Sequence, residues 1–127
     1  MKLNRNIKGM SLIELMIALA IVAIIAAVGI PAYQNQLISA KRDEAKMTLL
    51  QLKLQQENYR LENTSYASAA ELGSPTSENY TISVANVSAT TYTITATAKD
   101  NNQQKNDTGC TELSIDQSMN RTPASCW

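Results

Sequence analysis

From Leu15 to Ala32 the chain runs eighteen residues without a charge or a side-chain polar group. As a helix that segment rises about 27 Å, close to a bilayer core of roughly 30 Å. Beyond Ala40 the sequence turns polar and rich in Gln, Asn, Ser and Thr. One apolar helical end therefore joins one water-soluble end, and 127 residues leave room for a single small domain. Charge is distributed to match. Lys2, Arg5 and Lys8 precede Gly9 with no acid among them, and the rest carries eight basic against eleven acidic residues. A basic head before an apolar run holds that end in the cytoplasm, which places the bulk of the chain across the membrane.

Residues 1–9 read as a basic leader. From Ser11 to about Arg60 the pattern is helical, in two halves. Residues 10–32 form a transmembrane and filament-core half, apolar all round over 12–32, and residues 33–61 form an amphipathic half. In the second half Ala45, Leu49, Leu52, Gln56 and Tyr59 step by four and three, so they share a face. Lys41, Arg42, Asp43, Glu44, Lys46, Lys53, Glu57 and Arg60 mostly lie off it. This half is expected to pack on one side only. Gly29 and Pro31 interrupt the apolar half, and proline removes a backbone donor, so a kink or local unwinding is expected there. Residues 62–127 supply the remainder of a head completed by 33–61. Its strand candidates are 80–84, 91–98 and 110–115. In the middle one Tyr92, Ile94, Ala96 and Ala98 alternate with threonines. The expected fold class is α+β, with a long N-terminal helix against an antiparallel sheet of about three to four strands.

Glu14 stands almost at the start of the apolar run, where a lone carboxylate is expensive. It can snorkel as an interface anchor, belong to a polar relay, or pair with a positive charge from another chain. A cut between Gly9 and Met10 would create an α-amine near Glu14 on nearly the same helix face. In a stack of copies, one carboxylate could then meet a neighbour's amine and fix the axial register. Cys110 and Cys126 lie in the part expected to be exported, where pairing is favoured. A bond there would close a loop worth about 3 kcal/mol; the alternative is two buried free thiols.

The stretch GMSLIELMIALAIVAIIAAVGIPAY resembles the class III signal of type IV pilins and pseudopilins. That resemblance implies cleavage after Gly9 by a prepilin peptidase and N-methylation of Met10, which stands where the family usually has phenylalanine. It implies an assembly-register role for Glu14, a helix kink at Gly29 and Pro31, and a C-terminal disulfide loop between Cys110 and Cys126. The ending TPASCW, with DTGC upstream, is similar to PilE-type minor pilins of Gram-negative gammaproteobacteria. The resemblance implies a structural minor subunit of a type IV pilus, at or near the tip, where it helps to initiate assembly. The alternatives are a major pilin of the filament shaft or a type II secretion pseudopilin. Implied partners are other major and minor pilins, the prepilin peptidase and the inner-membrane assembly platform. The chain would reside in the inner membrane, with its C-terminal domain periplasmic, and then in an extracellular pilus.

No catalytic constellation is visible. Histidine is absent, which excludes histidine metal sites and histidine-based triads. No cofactor or metal is expected, and the chain is not read as an enzyme. Asp100 and Asp107 flank a polar loop without the ligand spacing of a calcium-binding EF-hand, so the loop reads as a solvated turn whose acids offset Lys99 and Lys105. No dense basic stripe emerges, which weighs against DNA binding. Tyr59, Tyr66, Tyr80 and Tyr92 could form an adhesive surface; the expectation is that most of them help to seal the junction of helix and sheet.

Overall fold

A computed structural model of the chain describes residues 9–127. The basic leader residues 1–8, with Lys2, Arg5 and Lys8, lie outside the described residues. Helix α1 spans Leu12–Glu62, and its 51 residues include Gly29 and Pro31. The helix is unbroken at those positions, so the expected local unwinding is not present in the single chain. Two compact units divide the molecule, one ending at Asn35 and the other running from Gln36 to Trp127.

The first unit has no interior. Its aliphatic side chains stand exposed along α1, from Leu12 through Ile30. This is the surface of a helix that is apolar all round, with its large aliphatic side chains exposed.

The second unit is an α+β head. Strands β1 (Tyr80–Ala85), β2 (Thr93–Ala98), β3 (Glu112–Asp116) and β4 (Arg121–Thr122) form one sheet in sequence order. Every neighbouring pair is antiparallel. Register puts Ile94 opposite Val84 on one side and Ile115 on the other; Ala96 likewise faces Ile82 and Leu113. The alternation of β2 therefore aligns apolar rows across the sheet. Tyr80, Tyr92, Ile94, Ala96, Leu113 and Ile115 join Ala45, Leu49 and Leu52 of α1 in one buried cluster. Neither element could hide its apolar face alone, and each covers the other.

Two short 3₁₀ helices complete the head, at Gln103–Asn106 and Ala124–Cys126. Cys110 and Cys126 are disulfide-bonded, with Cα atoms 5.7 Å apart, which ties the C-terminal residues to the start of β3. Gly109, just before that bond, has a φ of +82°, a turn geometry that side-chain-bearing residues rarely adopt.

Candidate functional site

The N-terminal end of α1 is built locally. Gly9, Met10 and Ser11 are exposed and non-helical, so the backbone around the expected cut is accessible. The Ser11 hydroxyl accepts a hydrogen bond from the Glu14 N–H at 3.2 Å, and the Ser11 N–H donates to Glu14 Oε2 at 3.4 Å. This reciprocal pair is a capping box, which satisfies two of the helix-start donors that otherwise lack partners. The pattern Ser-x-x-Glu at 11–14 is legible in the sequence as a helix-start signal. Its carboxylate is exposed and makes one long bond, so it keeps most of its acceptor capacity free. Nothing lies within 4 Å of a Cβ built at Gly29, so no neighbour in the same chain requires a glycine there.

The head holds its loops to α1 through side-chain hydrogen bonds whose partners the sequence does not indicate. Gln56 is fully buried. Its amide donates to the Ala67 carbonyl and accepts from the Ala67 N–H, both at 2.7 Å. One side chain thus satisfies both backbone groups of a buried loop residue, as a neighbouring strand would. Further along the same loop, Glu71 accepts from the Ser68 N–H and hydroxyl, each at 2.7 Å, and from Tyr59 at 2.9 Å. The Ser68 N–H, then its hydroxyl and Tyr59, hold the Glu71 carboxyl below its ordinary range.

At the opposite end of the sheet, the polar loop after β2 is not a solvated turn. Asp107 is buried and paired with Arg42 of α1 at 2.9 Å. The buried Gln104 donates to the Ile38 carbonyl at 2.9 Å. Lys99 turns to the Ser77 carbonyl at 2.7 Å and does not pair with the loop acids. Only Asp100 keeps the exposed setting expected of both aspartates. Of the four tyrosines, Tyr80 and Tyr92 are buried, Tyr66 packs edge-on against Tyr92 at 4.6 Å between ring centres, and Tyr59 serves the Glu71 latch.

No group of three or more histidine, cysteine or carboxylate side chains suited to a metal occurs among the described residues. The chemistry on offer is binding and packing. Helix α1 is long and apolar enough to cross a membrane, with a capped, carboxylate-bearing start. It continues into a disulfide-tied α+β head.

Comparison with known proteins agrees. Residues 31–114 match the family described as "Type IV minor pilin ComP, DNA uptake sequence receptor". Residues 4–30 match the prokaryotic N-terminal methylation motif. The "Type IV wide pilus major component PilA4" of Thermus thermophilus is 41% identical over 102 residues, covering 72% of this chain and 74% of that protein. The "Prepilin peptidase-dependent protein D" of Escherichia coli is 36% identical over 77 residues, covering 58% of this chain and 53% of that protein. A solved type IV pilin structure from Shewanella oneidensis superposes with a TM-score of 0.58 at 22% identity, over 71% of this chain and 97% of that one. At that identity the likeness is one of fold. The chain belongs to the type IV pilin family, a structural and non-catalytic one.

Proposed function

We propose that this chain is a structural subunit of a type IV pilus and forms part of the filament shaft. The observation that carries this reading is the bare apolar half of α1, whose large aliphatic side chains stand exposed. A hydrocarbon interior suits that surface before assembly, and neighbouring helices suit it afterwards. The preference for the shaft rests on the relative at 41% identity, which is named a major component. A minor subunit near the tip is the second reading, favoured by the description of the matched family. The narrower placement among PilE-type minor pilins rests on the C-terminal resemblance alone.

On either reading a prepilin peptidase cuts after Gly9 and methylates Met10. The helix then waits in the inner membrane, with the head periplasmic, until the assembly platform moves it among other pilins. Gly29 and Pro31 mark where α1 would bend or melt in the filament. Intact and N-terminal peptide masses from the native host, with sheared filaments and membranes measured separately, test this. A chain starting at methylated Met10 and abundant in the sheared fraction is the expected result. The same mature chain at sparse copy number selects the minor subunit. A chain that keeps Met1 and stays in membranes removes the pilus reading.

DNA reception comes to this chain only through the name of the matched family. Its cations are largely committed elsewhere. Arg42, Lys46 and Lys53 are ion-paired, Arg60 and Lys99 donate to carbonyls, and Arg121 stacks over Trp127. Among the described residues Lys41 and Lys105 remain. Two cations make a poor phosphate track, so at about 10 µM protein and low salt no duplex mobility shift is expected. A shift that weakens steeply with added salt would reinstate the DNA reading.

A further inference from the structure

The two edges of the sheet differ. At one edge, β4 is two residues long, carries Arg121 and runs into Pro123. Short length, charge and proline are the devices that keep an edge from pairing with another chain. At the other edge, β1 has none of them. Its six residues, Tyr-Thr-Ile-Ser-Val-Ala, contain no charge and no proline, and their pairing with β2 runs through without a bulge. The direction of its backbone groups follows from two bonds at its start. The Lys99 N–H donates to the Asn79 carbonyl at 3.0 Å, and the Ala98 N–H turns the other way, to the Thr111 carbonyl at 2.7 Å. Bonded and non-bonded pairs alternate in an antiparallel ladder. Thr81, Ser83 and Ala85 therefore bond β2, and Tyr80, Ile82 and Val84 point their N–H and C=O groups outward. No loop or turn backbone among the described residues bonds them. Tyr80 is 1% exposed, so its groups are closed to another chain. Ile82 and Val84 are only partly buried, and theirs stay within reach.

We infer that the free edge of β1 is a strand-pairing site, and that its occupant is β1 of a second copy, run antiparallel about Ser83. Three observations select that occupant. First, this register sets Ile82 against the partner's Val84, and Val84 against the partner's Ile82. The outward N–H and C=O groups of both residues are then satisfied, by about four bonds in all. Second, the side chains match. Ile82 and Val84 lie on the core side of both strands, Thr81, Ser83 and Ala85 lie exposed on the other, and no charge in β1 repels its copy. Third, the guarded edge at β4 closes the alternative in which sheets extend head to tail. The contact is therefore isologous and joins two four-stranded sheets into one. Its two-fold axis stands normal to the sheet, and α1 packs along the core face of that sheet, so the axis reverses the direction of α1. Copies held in one membrane with their heads on the same side share one helix direction. The partner copy consequently stands on a different surface, and the contact is not a side-by-side packing of helices. It needs the anchored helix and does not depend on the pilus reading.

A single pair of edges is weak and an array of them is strong. The test therefore displays the full chain in phosphatidylcholine vesicles, where many heads on one vesicle face many on another. Wild-type vesicles are expected to cluster, read as a rise in light scattering. Ser83 is exposed and lies outside the buried core. Ser83→Lys sets like charges opposite each other on the axis, and so does Ser83→Glu. Either variant alone is expected to lower clustering at least about tenfold, because the repulsion recurs at every contact. Mixing the two populations is expected to restore it, a rescue that a merely unfolded head would not show. The same pair of charges at Thr97, exposed on β2 one strand in from the edge, is expected to leave clustering near wild type. Ser83→Cys reads the register. Cys110 and Cys126 are the chain's two cysteines and are bonded to each other, so the new thiol is the free one. Across the axis the two Cβ atoms stand about 4.5–5.5 Å apart, and mild oxidation is expected to give a dimer linked at position 83 but none with Thr97→Cys. Wild-type vesicles that stay dispersed overturn the site. So do Ser83→Lys vesicles that cluster like wild type, a mixture that is not rescued, or equal dimer at 83 and 97.

Discussion

Gln56→Ala is expected to destabilise the head by about 3–5 kcal/mol, more than any exposed substitution on α1. Two terms add. The Ala67 N–H and carbonyl lose both partners, which now sit at 2.7 Å, while Ala67 stays buried. Each such orphaned group costs about 1–3 kcal/mol. Truncation also leaves a void on the packed face of the helix, where Gln56 is fully buried. Two further variants separate the terms. Gln56→Met fills the space without restoring either bond, so it is expected to recover only the cavity share. Gln56→Glu keeps the shape and can still accept from the Ala67 N–H. It cannot donate when ionised, and it buries a charge, so it is expected to be at least as damaging as alanine at neutral pH. Denaturant unfolding of the detergent-solubilised chain, with hydrogen exchange at the Ala67 amide, reads all three. An alanine variant within about 0.5 kcal/mol of wild type would show that the amide clamp is dispensable.

The same clamp shows which features of the fold the sequence discloses. Where a pattern repeats locally, it is legible. The helix from residue 12 follows from the apolar run and the four-three steps after it. Strand β2 follows from its alternation, and β1 and β3 fall close to the expected segments. The Cys110–Cys126 bond is the pairing favoured by position and compartment. The partner of Gln56, in contrast, is backbone eleven residues away, and that of Gln104 is a helix carbonyl sixty-six residues away. No periodicity marks a side chain that serves distant backbone. Asp107 resembles any acid in a polar loop until Arg42 arrives from α1. Strand β4 is two exposed polar residues long, below the length at which alternation can be read. The capping box at Ser11 and Glu14 is a local pattern too, carried by the Ser-x-x-Glu spacing at the helix start.

That local bond allows the role of Glu14 to be divided by experiment. Glu14→Ala is expected to leave the cut after Gly9 intact and to lower filament content by at least about a hundredfold. Removing one member of a buried ion pair costs about 3–5 kcal/mol, and every 1.4 kcal/mol is a factor of ten. The premise is that Glu14 meets an amine among packed helices. In the single chain its carboxylate takes one bond, from the Ser11 N–H, and stays exposed, so capacity for a second partner is free. The cap alone is a weaker device: Ser11→Ala removes the hydroxyl that receives the Glu14 N–H, at a cost of about 1 kcal/mol to the helix start, and leaves the carboxylate in place. If Glu14 acts by pairing, Ser11→Ala filaments remain near wild type and Glu14→Ala filaments do not. If it acts by capping, the two variants fall together. Glu14→Gln sharpens the contrast, because its amide can still accept from the Ser11 N–H but carries no charge for an amine. It is expected to track Glu14→Ala in the sheared fraction and wild type in membrane insertion. Wild-type filament content in Glu14→Ala cells would remove axial register as the reason for a carboxylate in this helix and leave the capping box as its whole function.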